Sequence, residues 1–513
     1  MGLITACGAD GGASSPPVDA ASLPVDAASR RDTASAPAPE VGQADAMPAP
    51  DAGPPPVFAD PLWVTDPRGR VLILRGVNVD LGAKSGQVPA VTAADARRIG
   101  HDWGFNFVRL LMTWEAVMPQ AGVVDHAYLD ALAGKVDLLW AEGVHVMLDM
   151  HQDVWARRFC CDGAPEWAIR DDGQPFTLQP LWFANYFQPA VKRCFDNFWA
   201  GDAGAHADLQ QQFRAAWVAV ATRFRDHPGV IGYDLFNEPS PGSKTDVGEL
   251  LGRPNVSGPD PGFDRDELFP LYQRVLEDLR TVDADHWVFV EPRYGAPGNG
   301  LPSYHDAMHD PRPGAARVVY APHLYSLAYE RDQKYDPARE TAVAAWEAAR
   351  NIELIRAPMA LILGEWGFDW TFPGAELYGR AVLDMADRMR AGWAYWSYAP
   401  GTWGLWNDDG TERLPAADAI VRPYPRAVPG VPTSFGFDAD THVFRLTFER
   451  RPGATGATEI YLAAARQYPS GFDVALPPGY VQAWDAAREV LSVDEGPGAA
   501  EDTGPVEIVV TPR

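Results

Sequence analysis

Glu238 in Val230-Ile-Gly-Tyr-Asp-Leu-Phe-Asn-Glu-Pro239 and Glu365 in Met359-Ala-Leu-Ile-Leu-Gly-Glu-Trp-Gly367 each stand where an apolar run meets a loop. A carboxylate at the end of a buried strand is desolvated at a cost that stability rarely explains, so two of them invite a catalytic reading. The chemistry that calls for such a pair is glycoside hydrolysis, in which one carboxyl group moves a proton and the other attacks carbon or activates water.

The elements that must position these residues are legible as eight short apolar runs. They are Val71–Asn78, Phe105–Met112, Val144–His151, the run into Glu238, His286–Pro292, Arg317–His323, the run into Glu365 and Gly392–Ser397. Strands buried on both faces lose polar alternation, which marks a parallel sheet. Amphipathic segments such as Ala93–Trp103, Tyr128–Trp140 and Leu209–Phe224 fall between them and predict helices. Eight strand–helix repeats over about 340 residues predict an α/β fold, a closed (β/α)8 TIM barrel spanning 58–427. No Gly-rich phosphate loop follows the first run, which disfavours a doubly wound sheet. Polar residues crowd the C-terminal ends of the runs, where such a barrel builds its site.

Composition narrows the partners. A chain of 513 residues, 46% hydrophobic, can fill a large core and more than one domain. With 69 acidic against 43 basic residues, its charge of −26 argues against nucleic acid and anionic membrane surfaces as electrostatic partners. Neutral sugars stay open, and the 18 tryptophans suit either stacking on pyranose rings or filling the core.

Residues 1–7, ending Leu3-Ile4-Thr5-Ala6-Cys7, resemble the end of a bacterial lipobox, with Cys7 as the lipidated residue of a protein secreted or anchored at the surface. Residues 8–57 are mostly Ala, Pro, Ser, Asp and Gly without an aromatic residue, a composition that cannot offset its conformational entropy and predicts a disordered tether.

Six motifs in order, Phe107-Val-Arg-Leu110, Asp149-Met-His-Gln-Asp153, Phe236-Asn-Glu-Pro239, His323-Leu-Tyr325, Gly364-Glu-Trp-Gly367 and Trp396-Ser-Tyr398, resemble the motif set of glycoside hydrolase family 5 over about residues 60 to 425. The resemblance implies a retaining mechanism with Glu238 as acid/base and Glu365 as nucleophile. Arg109 and Tyr325 would keep Glu365 charged, Asn237 would bind the sugar 2-hydroxyl, His151 and His323 would line the same subsite, and Trp396 would form a stacking floor. No cofactor and no metal are implied. Arg75–Ser85, Thr113–Pro119 and Asp149–Trp155 are more similar to the endoglycoceramidase subgroup than to cellulases, which makes Lys84 and Asp153 candidate sugar contacts. The expected substrate is then a glycolipid, or a β-glycan, met at a membrane or micelle surface by a monomer. Other family members, a glucosylceramidase, sterol glucosidase or endo-β-glucanase, stay open, as does a non-catalytic glycan-binding surface lipoprotein.

The long insertion from Trp155 to Trp199 carries Phe159, Trp167, Phe176, Trp182, Phe183 and further large apolar side chains. It reads either as a groove for alkyl chains or as a small core of its own. Among its cysteines, one bridge from Cys194 to Cys160 or Cys161 would pin the loop and leave one thiol free, and three reduced thiols are the alternative; adjacent cysteines rarely bridge each other. Arg422–Pro432 reads as a Pro-rich exit from the barrel, and the alternating runs Thr441–Phe448, Ala457–Leu462, Phe472–Leu476 and Val506–Val510 predict a β-sandwich over 428–513.

Overall fold

The continuous apolar runs do close on themselves. In the computed structural model, which describes residues 62–244, 261–496 and 504–513, eight parallel strands form a barrel. They are β1 (Arg75–Val79), β2 (Phe107–Thr113), β3 (His145–His151), β4 (Val230–Asp234), β5 (Trp287–Val290), β6 (Val318–Tyr320), β7 (Ala360–Trp366) and β8 (Gly392–Tyr395), with β8 pairing back onto β1. The expected helices appear as Ala93–Arg97 running on through Arg98–Asp102, His126–Ala141 and Asp208–Phe224. Cys7 and the 8–57 tether lie outside the described residues. No helix among the described residues is long and apolar enough to cross a membrane.

Period-two alternation sorts the strand side chains into two environments. Val108, Leu110, Val146, Leu148, Val288 and Val290 join the large core outside the barrel. Phe107, Met147, Phe289, Val319, Ala321, Ile362 and Ala394 fill a separate apolar cluster that includes strand positions of alternate parity. Two residues further along the same strands the sequence turns polar, from Phe107 to Arg109, Met147 to Asp149, Phe289 to Glu291 and Ala321 to His323. The apolar layer therefore supports a polar one at the C-terminal end.

The first apolar run, expected as one strand, is divided. Val71–Leu72 pairs antiparallel with β9 (Tyr424–Val428), and only Arg75–Val79 enters the barrel. The second domain thus begins before 428 and borrows a strand from the start of the first. One of its sheets orders Val71–Leu72, β9, β12 (Thr458–Tyr461), β15 (Val490–Glu495) and β14 (Tyr480–Asp485); the other orders β10 (Gly430–Asp438), β11 (Val443–Arg450), β16 (Val506–Pro512) and β13 (Phe472–Ala475). The Pro-rich stretch read as an exit is two strands, β9 and β10. The two prolines inside these strands, Pro425 and Pro432, are tolerated because the register shifts beside them, between Pro425 and Ala427 and between Pro432 and Ser434.

This domain holds the N-terminal ends of the barrel strands. The Tyr424 hydroxyl and an Arg426 Nη1 donate to the Gly104 carbonyl before β2, and Arg488 donates to the Glu142 carbonyl before β3. Gly104 adopts φ 62°, and a Cβ there would lie 2.1 Å from the Tyr461 ring, so only glycine admits that close approach.

Candidate active site

Arg109 is the centre of the polar layer. Fully buried on β2, it donates from Nε to Asp234 (2.7 Å), from Nη1 to Glu365 Oε1 (2.5 Å) and Asn78 (3.1 Å), and from Nη2 to Asn237 and Glu291 (both 2.9 Å), with Asp149 also at 2.9 Å. Burial opposes its charge, but Asp149, Asp234, Glu365 and Glu291 outweigh burial and raise its pKa well above the ordinary value.

Glu365 reaches this point through an irregularity. Strict alternation from Ile362 would aim Gly364 inward and Glu365 out, yet the β7–β8 register shifts between Leu363 and Trp366. Such a break re-aims a side chain. Gly364 is needed beside it, since a Cβ there would meet the Ala321 carbonyl at 2.7 Å and the His323 ring at 3.2 Å. The Tyr325 hydroxyl donates to Glu365 Oε2 at 2.9 Å, so both oxygens of the carboxylate are held.

Glu238 lies past the end of β4 at φ 41°, a conformation uncommon for a residue with a Cβ. Its surroundings hold that turn. The Glu238 N–H donates to Glu291 Oε2 (2.8 Å), the Asn237 N–H to the Met150 carbonyl (3.1 Å), and Gln152 Nε2 to the carbonyls of Asn237 (2.9 Å) and Glu238 (3.0 Å). His323 Nδ1 is 2.9 Å from Glu238 Oε1, 3.6 Å from Glu365 Oε2, and its Nε2 is 3.2 Å from Glu291. A carboxylate oxygen of Glu238 and one of Glu365 lie within 4.8 Å of each other. That is the close spacing of a double displacement, not the roughly 6.5–9.5 Å that leaves room for water in inversion.

The two electrostatic environments differ. Burial raises the pKa of Glu238, and Glu365 and Glu291 add to the rise against the opposing contact with His323. His323 is itself pushed well up despite its burial, by Glu291, Glu365 and Glu238. Glu291 is drawn down against its burial by His323 and Arg109, while burial and Glu291 push Asp234 well up, toward its neutral form.

A second group lies along the same rim. His151 Nδ1 is 2.7 Å from Asp149, its ring stacks on Trp396 with centroids 5.8 Å apart, and Asp149 lifts its pKa to about 10 against burial. Lys84 Nζ is 2.5 Å from Asp153 Oδ2 and 4.6 Å from the centre of the Trp396 ring. The structure therefore brings together all ten residues read from the barrel sequence: Glu238, Glu365, Arg109, Asn237, His323 and Tyr325 in one network, and Lys84, His151, Asp153 and Trp396 beside it. Sequence reasoning passed over Glu291, Asp234, Asn78 and Gln152, although each is a polar residue at or just past the end of an apolar run. The acid clusters close enough to share a metal ion already contain or adjoin Arg109, His323 or Lys84, which supply the positive charge.

The insertion corrects two expectations. The disulfide joins Cys160 to Cys161, and Cys194 is a free thiol. Cys194 lies on the inward face of the helix Pro189–Trp199 with Phe195 and Phe198, where it is part of the main core. The loop is not a core of its own either. Phe159, Tyr186, Phe195 and Phe198 join the main core, whereas Phe176, Trp182, Phe183 and Phe187 stay half-buried and Leu178 and Leu181 are exposed.

Comparison with known proteins agrees with this geometry. Residues 66–402 match the model of the cellulase family, glycosyl hydrolase family 5, and residues 422–510 match the glycoside hydrolase family 5 C-terminal domain. Endoglycoceramidase I of Rhodococcus hoagii is 33% identical over 451 residues, 86% of each chain. Solved structures of endo-glycoceramidase II from Rhodococcus sp. superpose on 88% of this chain and the whole of theirs. A complex with ganglioside GM3 has TM-score 0.79 and 37% identity, and a lactosyl-enzyme intermediate has 0.78 and 38%. A barrel with paired glutamates at its C-terminal end, followed by the family's own C-terminal domain, places this chain in glycoside hydrolase family 5.

Proposed function

We propose that this protein is a retaining endoglycosidase that cuts the β-glycosidic bond between the oligosaccharide and the ceramide of glycosphingolipids. The approach of Glu238 and Glu365 to within 4.8 Å carries the mechanism. Glu365, held by Arg109 and Tyr325, attacks the anomeric carbon while Glu238, whose pKa burial raises, gives its proton to the glycosidic oxygen; the ceramide alcohol leaves and a glycosyl–Glu365 ester remains. Glu238 then takes a proton from water, which attacks the same carbon, breaks the ester and releases the glycan with its configuration retained. Asn237, held by Arg109 and the Gln152 carbonyl, is placed to bind the 2-hydroxyl. Lys84, His151, Asp153 and Trp396 bind the sugar on the other side.

The glycolipid substrate rests on the likeness to relatives of that name and on the exposed Leu178 and Leu181 beside the half-buried Trp182, Phe183 and Phe187, which suit alkyl chains. Incubation with a ganglioside in detergent beside a soluble β-glucan, with products read by mass spectrometry, should give intact glycan plus ceramide. Cleavage of the glucan alone would keep the two glutamates in their roles and remove the lipid reading. Glu238→Gln and Glu365→Gln should each lower turnover by orders of magnitude and leave the fold intact.

The same reading places the enzyme outside the cell as a monomer tethered through an acylated Cys7. An unmodified Cys7 in the native product, seen by mass spectrometry, would remove the anchor without touching the catalytic reading.

A further inference from the structure

Behind Lys84 and Asp153 lies a third carboxyl group that the reaction leaves unused. Asp162 lies in the loop that follows β3, and its backbone bonds that of Asp153 in both directions, N–H to carbonyl at 3.3 and 3.2 Å. The Cys160–Cys161 disulfide stands immediately before it in the same loop. Asp162 is 1% exposed, and its Oδ1 has no hydrogen-bond partner. One of its carboxylate oxygens lies within 4.8 Å of an oxygen of Asp153 and a ring nitrogen of His151. An unpartnered carboxylate beside a second acid is destabilising when ionised, so packing gives no reason for it.

The side chains of Lys84 and Asp153 remain 17% and 10% exposed, and they are the tips through which this group reaches the sugar side. We propose that Asp162 is a positioning residue for glycan recognition: in its neutral form it leaves the Lys84 ammonium to Asp153, and this pair meets the sugar hydroxyls; on ionising it draws Lys84 inward and weakens glycan binding. The proposal rests on the reading of Lys84 and Asp153 as sugar contacts.

The charged groups facing Asp162 are Asp153, Lys84, His151 and Asp80. Burial, then Asp153 and more weakly Asp80, lift its pKa to about 7 against the pull of Lys84 and His151. The neutral acid has a proton to offer Asp153, where the carboxylate would repel it. Binding is therefore strongest below the titration and is lost as pH rises through it.

Steady-state kinetics of the full chain on an aryl β-lactoside, from about pH 5 to about pH 9, test this by separating KM from kcat. Wild-type KM should rise roughly fivefold through the titration, about the worth of one hydrogen bond, with no matching step in kcat. In Asp162→Asn, KM should stay near its low-pH value throughout while turnover persists. An unchanged KM profile in the variant, or a step carried by kcat instead, would overturn the proposal. If the variant does not fold, calorimetry of lactose binding to the Glu238→Gln chain in buffers of different ionisation enthalpy decides: uptake of a fraction of a proton on the alkaline side supports the proposal, and no uptake ends it. Failure of the wild type to turn over the lactoside would instead strike the hydrolase reading beneath it.

Discussion

Arg109 and Arg75 are buried to the same depth near opposite ends of the barrel, and their electrostatics are opposed. Arg109 has every nitrogen engaged and four carboxylates around it. Arg75, the first residue of β1, shares a single acid, Asp387, with a second cation, Arg422, and its Nε and Nη1 have no hydrogen-bond partner. Burial and Arg422 leave its pKa below the ordinary value even with Asp387 beside it. Its contacts are faces of rings: Trp393 at 5.6 Å, Tyr424 at 5.1 Å and Phe435 at 5.5 Å, the last two from the C-terminal domain. One guanidinium is a charge that other charges require, and the other is a flat, cationic packing piece joining two domains. Burial alone does not distinguish them, and the surplus of acids does.

The sharpest way to break this comparison is to remove each charge. Arg109→Met should abolish turnover and destabilise the fold by about 3–5 kcal/mol, because its acids are left buried without a cation. Their folded pKa values would then stand above the unfolded ones, so the deficit should shrink as pH falls and widen as pH rises. Arg75→Met should cost less than about 1.5 kcal/mol, since Asp387 keeps Arg422 and methionine suits an aromatic box. Denaturant unfolding of both variants at two pH values measures this, and equal losses would erase the distinction.

Within the Arg109 network, the next effect is on the pH profile. Only protonated Glu238 can deliver a proton, so kcat/KM should fall as pH rises through its elevated pKa. His323 holds that pKa down by its charge and hydrogen bond. His323→Gln should therefore move the alkaline limb to higher pH while lowering kcat about tenfold. A limb that stays in place would mean that His323 does not govern Glu238.

The insertion offers a smaller contrast between sugar and lipid. Leu178→Ser with Leu181→Ser removes exposed apolar surface at no cost to the core. Losing about 1.5 kcal/mol of apolar contact would raise KM for a ganglioside roughly tenfold and leave an aryl lactoside unaffected. A parallel change for both substrates would return the loop to a purely structural role.

What could be read in advance follows from how locally each feature is encoded. The barrel strands and the Glu238 and Glu365 sites are written in contiguous apolar runs that end in a polar residue, and the helix Asp208–Phe224 differs from its expected start by one residue. Glu291 was legible by the same rule and passed over, because a single acid before a proline gives no hint of the Arg109 and His323 contacts that make it part of the site. The inward aim of Glu365 needs the β7–β8 register break, which no single-strand pattern contains. Val71–Leu72 left the barrel because its partner is β9, some 350 residues away in the chain, and long-range pairing has no local signature. The prolines of β9 and β10 argued against strands only until the register shifts beside them were visible.

The cysteines give the smallest expected effect and separate two halves of one loop. Helical spacing in Pro189–Trp199 puts Cys194 on the same face as Val191, Phe195 and Phe198, all of them fully buried. Burial also lifts its thiol to about 12, so almost no thiolate forms near neutral pH. Apart from Cys7, one thiol per chain should therefore react, and only after unfolding without reductant. Cys194→Ala should cost about 1 kcal/mol, the worth of a small buried side chain, and leave kcat/KM unchanged. Three reactive thiols would mean that Cys160 and Cys161 are reduced; one that reacts in the folded chain would mean that the helix does not bury the residue its sequence turns inward.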